Sequence, residues 1–138
     1  MKIDSFRGQY FFLSNFYQID VEYDGFVFKN NEAAFQAMKA LDRGKRAEFS
    51  NLDPSSAKRK GRSVKLRKDW EEVKDQLMYE VCMSKFNQNE FLKEKLLKTG
   101  NAELIEGNDW GDIYWGVSNG RGQNKLGKIL MRIREELK

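Results

Sequence analysis

Apolar residues in the first thirty positions fall in short blocks, Tyr10-Phe11-Phe12-Leu13, Val21-Glu22-Tyr23 and Phe26-Val27-Phe28. Their length and their aromatic or β-branched make-up predict strands. Asp24-Gly25 separates the last two blocks, and both residues tolerate the positive φ that a two-residue type I′ hairpin demands. After Asn30 the period changes. Ala34, Phe35, Met38 and Leu41 recur at helical spacing behind Asn30 or Asn31 as cap, which predicts a helix from about Glu32 to Leu41 with Glu32 in its first turn. Pro54 suits the first position of a short helix ending at Gly61. A longer helix is predicted from Asp69, carrying Trp70, Val73, Leu77, Val81 and Phe86 along one face. Asn89 can cap a further helix through Leu97, with Gly100 as a left-handed stop before a short strand at Glu103-Leu104-Ile105-Glu106. From Asn124 onward Leu126, Ile129, Leu130, Ile133 and Leu137 define the inward face of a last helix. Strands first and helices afterwards predict an α+β fold, mainly helical with a small N-terminal β-hairpin or sheet.

Size and composition narrow the class. A chain of 138 residues with no repeat and no Pro/Gly/Ser linker reads as one domain spanning residues 1–138. It is 40% hydrophobic, enough for a folded core and too much for a disordered segment. No apolar run reaches the roughly 18 residues of a membrane span, and Met1-Lys2-Ile3-Asp4 opens no signal-peptide core, so the expected location is cytoplasmic, with no membrane partner. The lone Cys82 sits in an apolar helical pattern and reads as core. The chain contains no histidine. That removes the commonest general base and metal ligand, so acid–base work falls to Asp, Glu, Lys or Tyr and a zinc site is not expected. The net charge of +4 suits an anionic partner, although acidic and basic residues interleave over most of the chain as on an ordinary surface.

Three stretches mix aromatic and polar groups too irregularly for packing alone: Phe12-Leu13-Ser14-Asn15-Phe16, Gly61-Arg62 through Asp69-Trp70, and Gly107-Asn108-Asp109-Trp110-Gly111-Asp112-Ile113-Tyr114-Trp115-Gly116. The third suits an aromatic platform beside a carboxylate. Gly120-Arg121-Gly122-Gln123-Asn124 directly precedes a helix, where backbone N–H groups can hold a phosphate. Glu32 in a helical first turn is either a dipole-favoured residue or a catalytic one, and Lys39 follows seven residues later. Arg62 and Lys65-Leu66-Arg67-Lys68 are either a solvated loop or a phosphate-binding run.

In order along the chain, Leu13-Ser14-Asn15-Phe16, Asn31-Glu32-Ala33-Ala34-Phe35-Gln36-Ala37-Met38-Lys39, Gly61-Arg62, Leu66-Arg67-Lys68-Asp69-Trp70-Glu71, Lys85-Phe86, Asp112-Ile113-Tyr114-Trp115-Gly116 and Gly122-Gln123-Asn124-Lys125-Leu126-Gly127 resemble the YbiA-like (NADAR) family over nearly the whole length. The resemblance implies a compact α+β fold that hydrolyses N-glycosidic bonds, with phosphoribosylamino-pyrimidine intermediates of riboflavin synthesis as one substrate class. A second branch of the family removes ADP-ribose from guanine bases in nucleic acid. The resemblance places the catalytic glutamate at Glu32, active-site aromatics at Trp70 and Trp115, and the acidic residue before the last tryptophan at Asp112. This chain departs from many relatives at Ala33, where they carry His, and at Val117, where they carry an acidic residue.

Cleaving a ribosyl C–N bond builds positive charge on the sugar, which ionised carboxylates stabilise. The expectation is therefore that Glu32 or Asp112 orients and deprotonates a directly attacking water while the other stabilises the cationic ribose or protonates the departing amine. Trp70 and Trp115 stack on the heterocycle, or either belongs to the core, Trp70 having the stronger helical periodicity. Arg62, Lys39 and the backbone around Gly122-Gln123-Asn124 are candidates for the phosphate, with Asn15 and Asn124 hydrogen-bonding sugar or base and Gly116 as a further substrate-binding residue. The scheme needs no metal and no organic cofactor. Two other classes fit the same residues, a non-catalytic ADP-ribose or nucleotide-binding module and a nucleic-acid binder.

Overall fold

The computed structural model describes residues 1–138. The chain divides into two compact units, one built from Asn15–Gln88 and the other from Met1–Ser14 with Asn89–Lys138.

In the Asn15–Gln88 unit, β2 (Gln18–Tyr23) and β3 (Phe26–Asn30) form an antiparallel hairpin. Asp24 and Gly25 take φ values of 56° and 82°, as the predicted type I′ turn requires. The chain runs directly from β3 into α1 (Asn31–Ala37), capped by Asn30, whose side-chain oxygen accepts the Ala33 N–H at 2.7 Å. The helix is shorter than its apolar period predicts. After Ala37 the N–H groups of Met38, Lys39 and Ala40 donate to carbonyls three residues back, a tighter turn that carries Leu41 off the inward face to 65% exposure. α2 (Arg43–Ala47), held by Asp42, has no apolar period and was not predicted. α3 (Pro54–Gly61) and α4 (Trp70–Gln88) match expectation, and α1 packs against both as well as against the hairpin.

The unit's core contains Val21, Phe28, Phe35, Met38, Phe49, Trp70, Met78, Val81 and Phe86. It also contains Lys85, 1% exposed, whose ammonium lies over the rings of Tyr17 and Phe86, 5.4 and 5.1 Å from their centroids. Burial pulls its pKa down to about 8 and pushes the neighbouring Cys82 thiol up to about 12.

In the other unit, β1 (Lys2–Ile3) pairs in parallel with β4 (Glu103–Leu104). Tyr10–Leu13 is not a strand. Gly8–Leu13 forms a 3-10 helix closed by Tyr10 N–H to Arg7 and Ser14 N–H to Phe11, and Phe12 and Leu13, adjacent in sequence, are both buried. Alternating strand geometry would put those two side chains on opposite faces. α5 (Glu90–Lys98) ends before Gly100, which takes the left-handed φ of 63°. β5 (Gly107–Asn108) and β6 (Val117–Ser118) form a second parallel pair enclosing the aromatic loop, and α6 (Lys125–Glu136) buries Leu126, Leu130 and Ile133 and packs on β4.

Candidate active site

α1 is short of polar surface. From Asn31 to Ala40 only Glu32 and Lys39 retain intermediate solvent access, and every other residue is buried. The helix and the turn after it therefore present one carboxylate and one ammonium to solvent and little else. Glu32 sits in the first turn, its N–H donating to the Asn15 carbonyl at 3.0 Å. Its Oε2 accepts a 2.7 Å hydrogen bond from Nε2 of Gln36, one turn on.

Lys39 is half-buried. Its ammonium lies 5.8 Å from the centroid of the Trp70 ring, and that ring tilts against Phe35 with centroids 5.1 Å apart. Burial holds the Lys39 pKa below the usual lysine value; the Glu32 carboxylate opposes that shift and the Arg62 guanidinium adds to it. Glu32, Lys39 and Arg62 thus share one electrostatic neighbourhood. Arg62 follows α3 directly and is exposed. Arg67 closes the region from below, its N–H donating to the Lys39 carbonyl at 2.9 Å and its guanidinium paired with Asp69 at 2.7 Å. Of the residues expected on this unit, the structure brings together Glu32, Lys39, Arg62 and Trp70.

Trp70 is 7% exposed, so its ring serves the core and carries Lys39 rather than offering a face to a heterocycle. Asn15 also differs from expectation. Its amide is buried, donating to Met78 Sδ at 3.4 Å and accepting from Asn31 Nδ2 at 3.1 Å, which ties the loop before β2 to the first turn of α1 and leaves the group facing the interior.

On the other unit the aromatic loop is fixed at both ends. Asn108 embraces Asp112, accepting its N–H at 3.0 Å and donating to its carbonyl at 2.9 Å. Asp112 Oδ1 in turn accepts the N–H groups of Tyr114 at 3.2 Å and Trp115 at 3.0 Å, a side-chain cap that bends the chain into Trp115-Gly116. Trp115, with intermediate exposure, meets the Tyr114 ring edge-on at a centroid distance of 4.8 Å. Gly116 is buried, and a Cβ there would collide with the Glu106 carbonyl and carboxylate.

The phosphate cradle expected before α6 is differently engaged. The N–H groups of Gln123, Asn124, Lys125 and Leu126 donate to the carbonyls of Ile113, Gly116, Tyr114 and Trp115 at 2.8–3.2 Å. The helix entry holds the aromatic loop with four of its amides, Gln123 and Asn124 of the expected cradle among them. Asn124 is likewise structural, with Oδ1 accepting the Glu106 N–H and Nδ2 donating to the Leu104 carbonyl, both at 2.9 Å.

Three neighbours of the expected residues escaped the sequence reading. Gln36 contacts Glu32 directly; Asn108 holds Asp112; and Glu106, with intermediate exposure, places Oε2 3.2 Å from Asn108 Nδ2. The signal for Gln36 was present in its i+4 spacing from Glu32. Asn108 and Glu106 lie in an irregular loop, where spacing does not reveal contacts.

Residues 4–138 match the NADAR domain. The chain is 41% identical over 128 residues to N-glycosidase YbiA of Escherichia coli (strain K12), covering 90% of this chain and 79% of that protein. It is 36% identical over 130 residues to a riboflavin biosynthesis protein of Vibrio vulnificus (strain YJ016), covering 91% of this chain and 35% of that one. The NMR structure of E. coli YbiA superposes with a TM-score of 0.87 at 39% identity, covering 99% of this chain and 83% of that one. Fold and site thus define an α+β domain of the NADAR class. The chain belongs to the NADAR family.

Proposed function

We propose that this protein is an N-glycosidase that hydrolyses the C–N bond of a phosphorylated ribosyl compound, with phosphoribosylamino-pyrimidines as the substrate class. The reading rests on close similarity to proteins named N-glycosidases, and one structural observation supports it: α1 and the turn that follows it present a carboxylate and an ammonium, Glu32 and Lys39, at an otherwise buried surface. Glu32 orients and deprotonates the attacking water, or stabilises the ribosyl cation, and Asp112 takes the complementary role. Lys39 and Arg62 bind the phosphate by charge-assisted hydrogen bonds. Trp115 flanks the heterocycle, while Trp70, Asn15, Gly116 and Asn124 support the groups that do this work. Residues 1–138 act as one NADAR domain.

The test is release of ribose phosphate from a phosphoribosylamino-pyrimidine by the purified chain. Catalytic release supports the reading; binding without release by folded protein favours a non-catalytic module.

A second reading, removal of ADP-ribose from guanine in nucleic acid, is favoured by the exposure of Arg59, Arg62, Lys65 and Lys68 along one segment of the Glu32 unit. Release of ADP-ribose from modified nucleic acid, with an affinity that falls steeply as salt rises, would select this branch.

A further inference from the structure

We infer that Gln36 is the positioning residue for Glu32, fixing the carboxylate in its working orientation, and that Gly61 exists at the end of α3 to seat it. The inference rests on the reading of Glu32 as a catalytic carboxylate. Two observations carry it. Gln36 Nε2 donates to Glu32 Oε2 at 2.7 Å, at the short end for such a bond. A carboxylate only accepts, so the Gln36 amide must turn its nitrogen toward Glu32 and its oxygen away. That oxygen is buried and has no hydrogen-bond partner.

An orphaned buried acceptor is unfavourable, and a side chain serving only to fill space would not keep one. Leucine or methionine would fill the same volume without the penalty. The fold also makes specific room for this oxygen: a Cβ on Gly61 would collide with Gln36 Oε1 and crowd its Cδ at 2.7 Å. Gly61 has no need of positive φ. Its lack of a side chain therefore serves close approach. α3 and α1 meet so that the amide is pressed into one orientation, and that orientation aims its N–H at Glu32.

The test uses Gln36→Leu, Gln36→Ala, Gly61→Ala, the Gln36→Ala/Gly61→Ala pair and Glu32→Gln, with phosphoribosylamino-pyrimidine as substrate. Losing the orienting bond should lower kcat about 10- to 100-fold in Gln36→Leu while KM moves little, as misplacement of a reacting group does. Tm should be unchanged or raised, because the orphan oxygen is gone. Gly61→Ala should lower kcat similarly, yet add nothing once Gln36 is already Ala. In a Glu32→Gln background, Gln36→Leu should cause no further loss. A Gln36→Leu or Gly61→Ala protein with wild-type kcat, alongside inactive Glu32→Gln, would overturn the positioning role and leave Glu32 standing. An active Glu32→Gln protein would overturn the Glu32 assignment itself, and this inference with it.

Discussion

The Lys39 ammonium stands 5.8 Å from the centre of the Trp70 ring, held half out of water by a buried aromatic. Burial lowers its pKa, so folding works against its charge, and the protein is more stable where Lys39 is neutral. Lys39→Met should therefore raise Tm at neutral pH while raising KM for a phosphorylated substrate about tenfold or more, the size of one charge-assisted contact. In the wild type KM should begin to rise at a pH below that of a solvated lysine, about 10.4. Lys39→Arg should remove that alkaline rise, and KM followed against pH checks it.

Asp112 Oδ1 caps the Tyr114 and Trp115 N–H groups, and the proposed function gives its carboxylate a second, separable role in the chemistry. Asp112→Asn keeps an acceptor oxygen and should fold with near wild-type Tm but lose activity. Asp112→Ala should lose both, with a stability cost of about 1 kcal/mol as for a lost side-chain cap. Urea unfolding beside activity assays separates the two variants.

Asn124 should behave as a structural residue. Asn124→Ala leaves the Glu106 N–H and the Leu104 carbonyl without their partner, a loss of about 1–3 kcal/mol for an unsatisfied buried group. Equilibrium denaturation is the measurement. A change in KM with unaltered stability would instead return Asn124 to the substrate.

Lys85 makes stability depend on pH. Its folded pKa of about 8 lies below the unfolded value, so its penalty is full at neutral pH, eases as pH rises through about 8, and vanishes above the unfolded pKa. Lys85→Met removes that penalty along with the Tyr17 and Phe86 ring contacts, so its stability relative to wild type should be greatest at pH 7. The gap should close between about pH 8 and 10.4, where the wild-type lysine sheds its proton. Denaturant midpoints at pH 7 and pH 10 test this.

Local signals placed most elements. Asp24-Gly25 specified its hairpin, Pro54 the start of α3 and Gly100 the end of α5, and the Asn30-Asn31 pair placed the start of α1 while leaving open which of the two caps it, since each of these signals acts on backbone within a few residues. Tyr10–Leu13 misled because an apolar tetrapeptide does not reveal whether a partner strand exists. β1 was invisible for the converse reason: two residues become a strand only through Glu103-Leu104, a hundred positions away.

The site divides along the same line. Glu32, Lys39 and Arg62 stood out by helix position and charge only as candidates, each equally readable as ordinary surface, and the resemblance to the family rather than the spacing singled out Glu32 as the catalytic carboxylate. Asn15 and Asn124 were legible as unusual polar residues, but sequence does not distinguish an amide facing substrate from one facing buried backbone. The Gly-rich entry to α6 resembles an anion site until the carbonyls of Ile113–Gly116 are found on its N–H groups.

Whether Glu32 performs the chemistry is read from a single-turnover assay on phosphoribosylamino-pyrimidine that compares wild type with Glu32→Gln. The variant should fold, bind the substrate with near wild-type affinity and release ribose phosphate at least about a hundredfold more slowly. Release at the wild-type rate by the folded variant would contradict a catalytic role for Glu32.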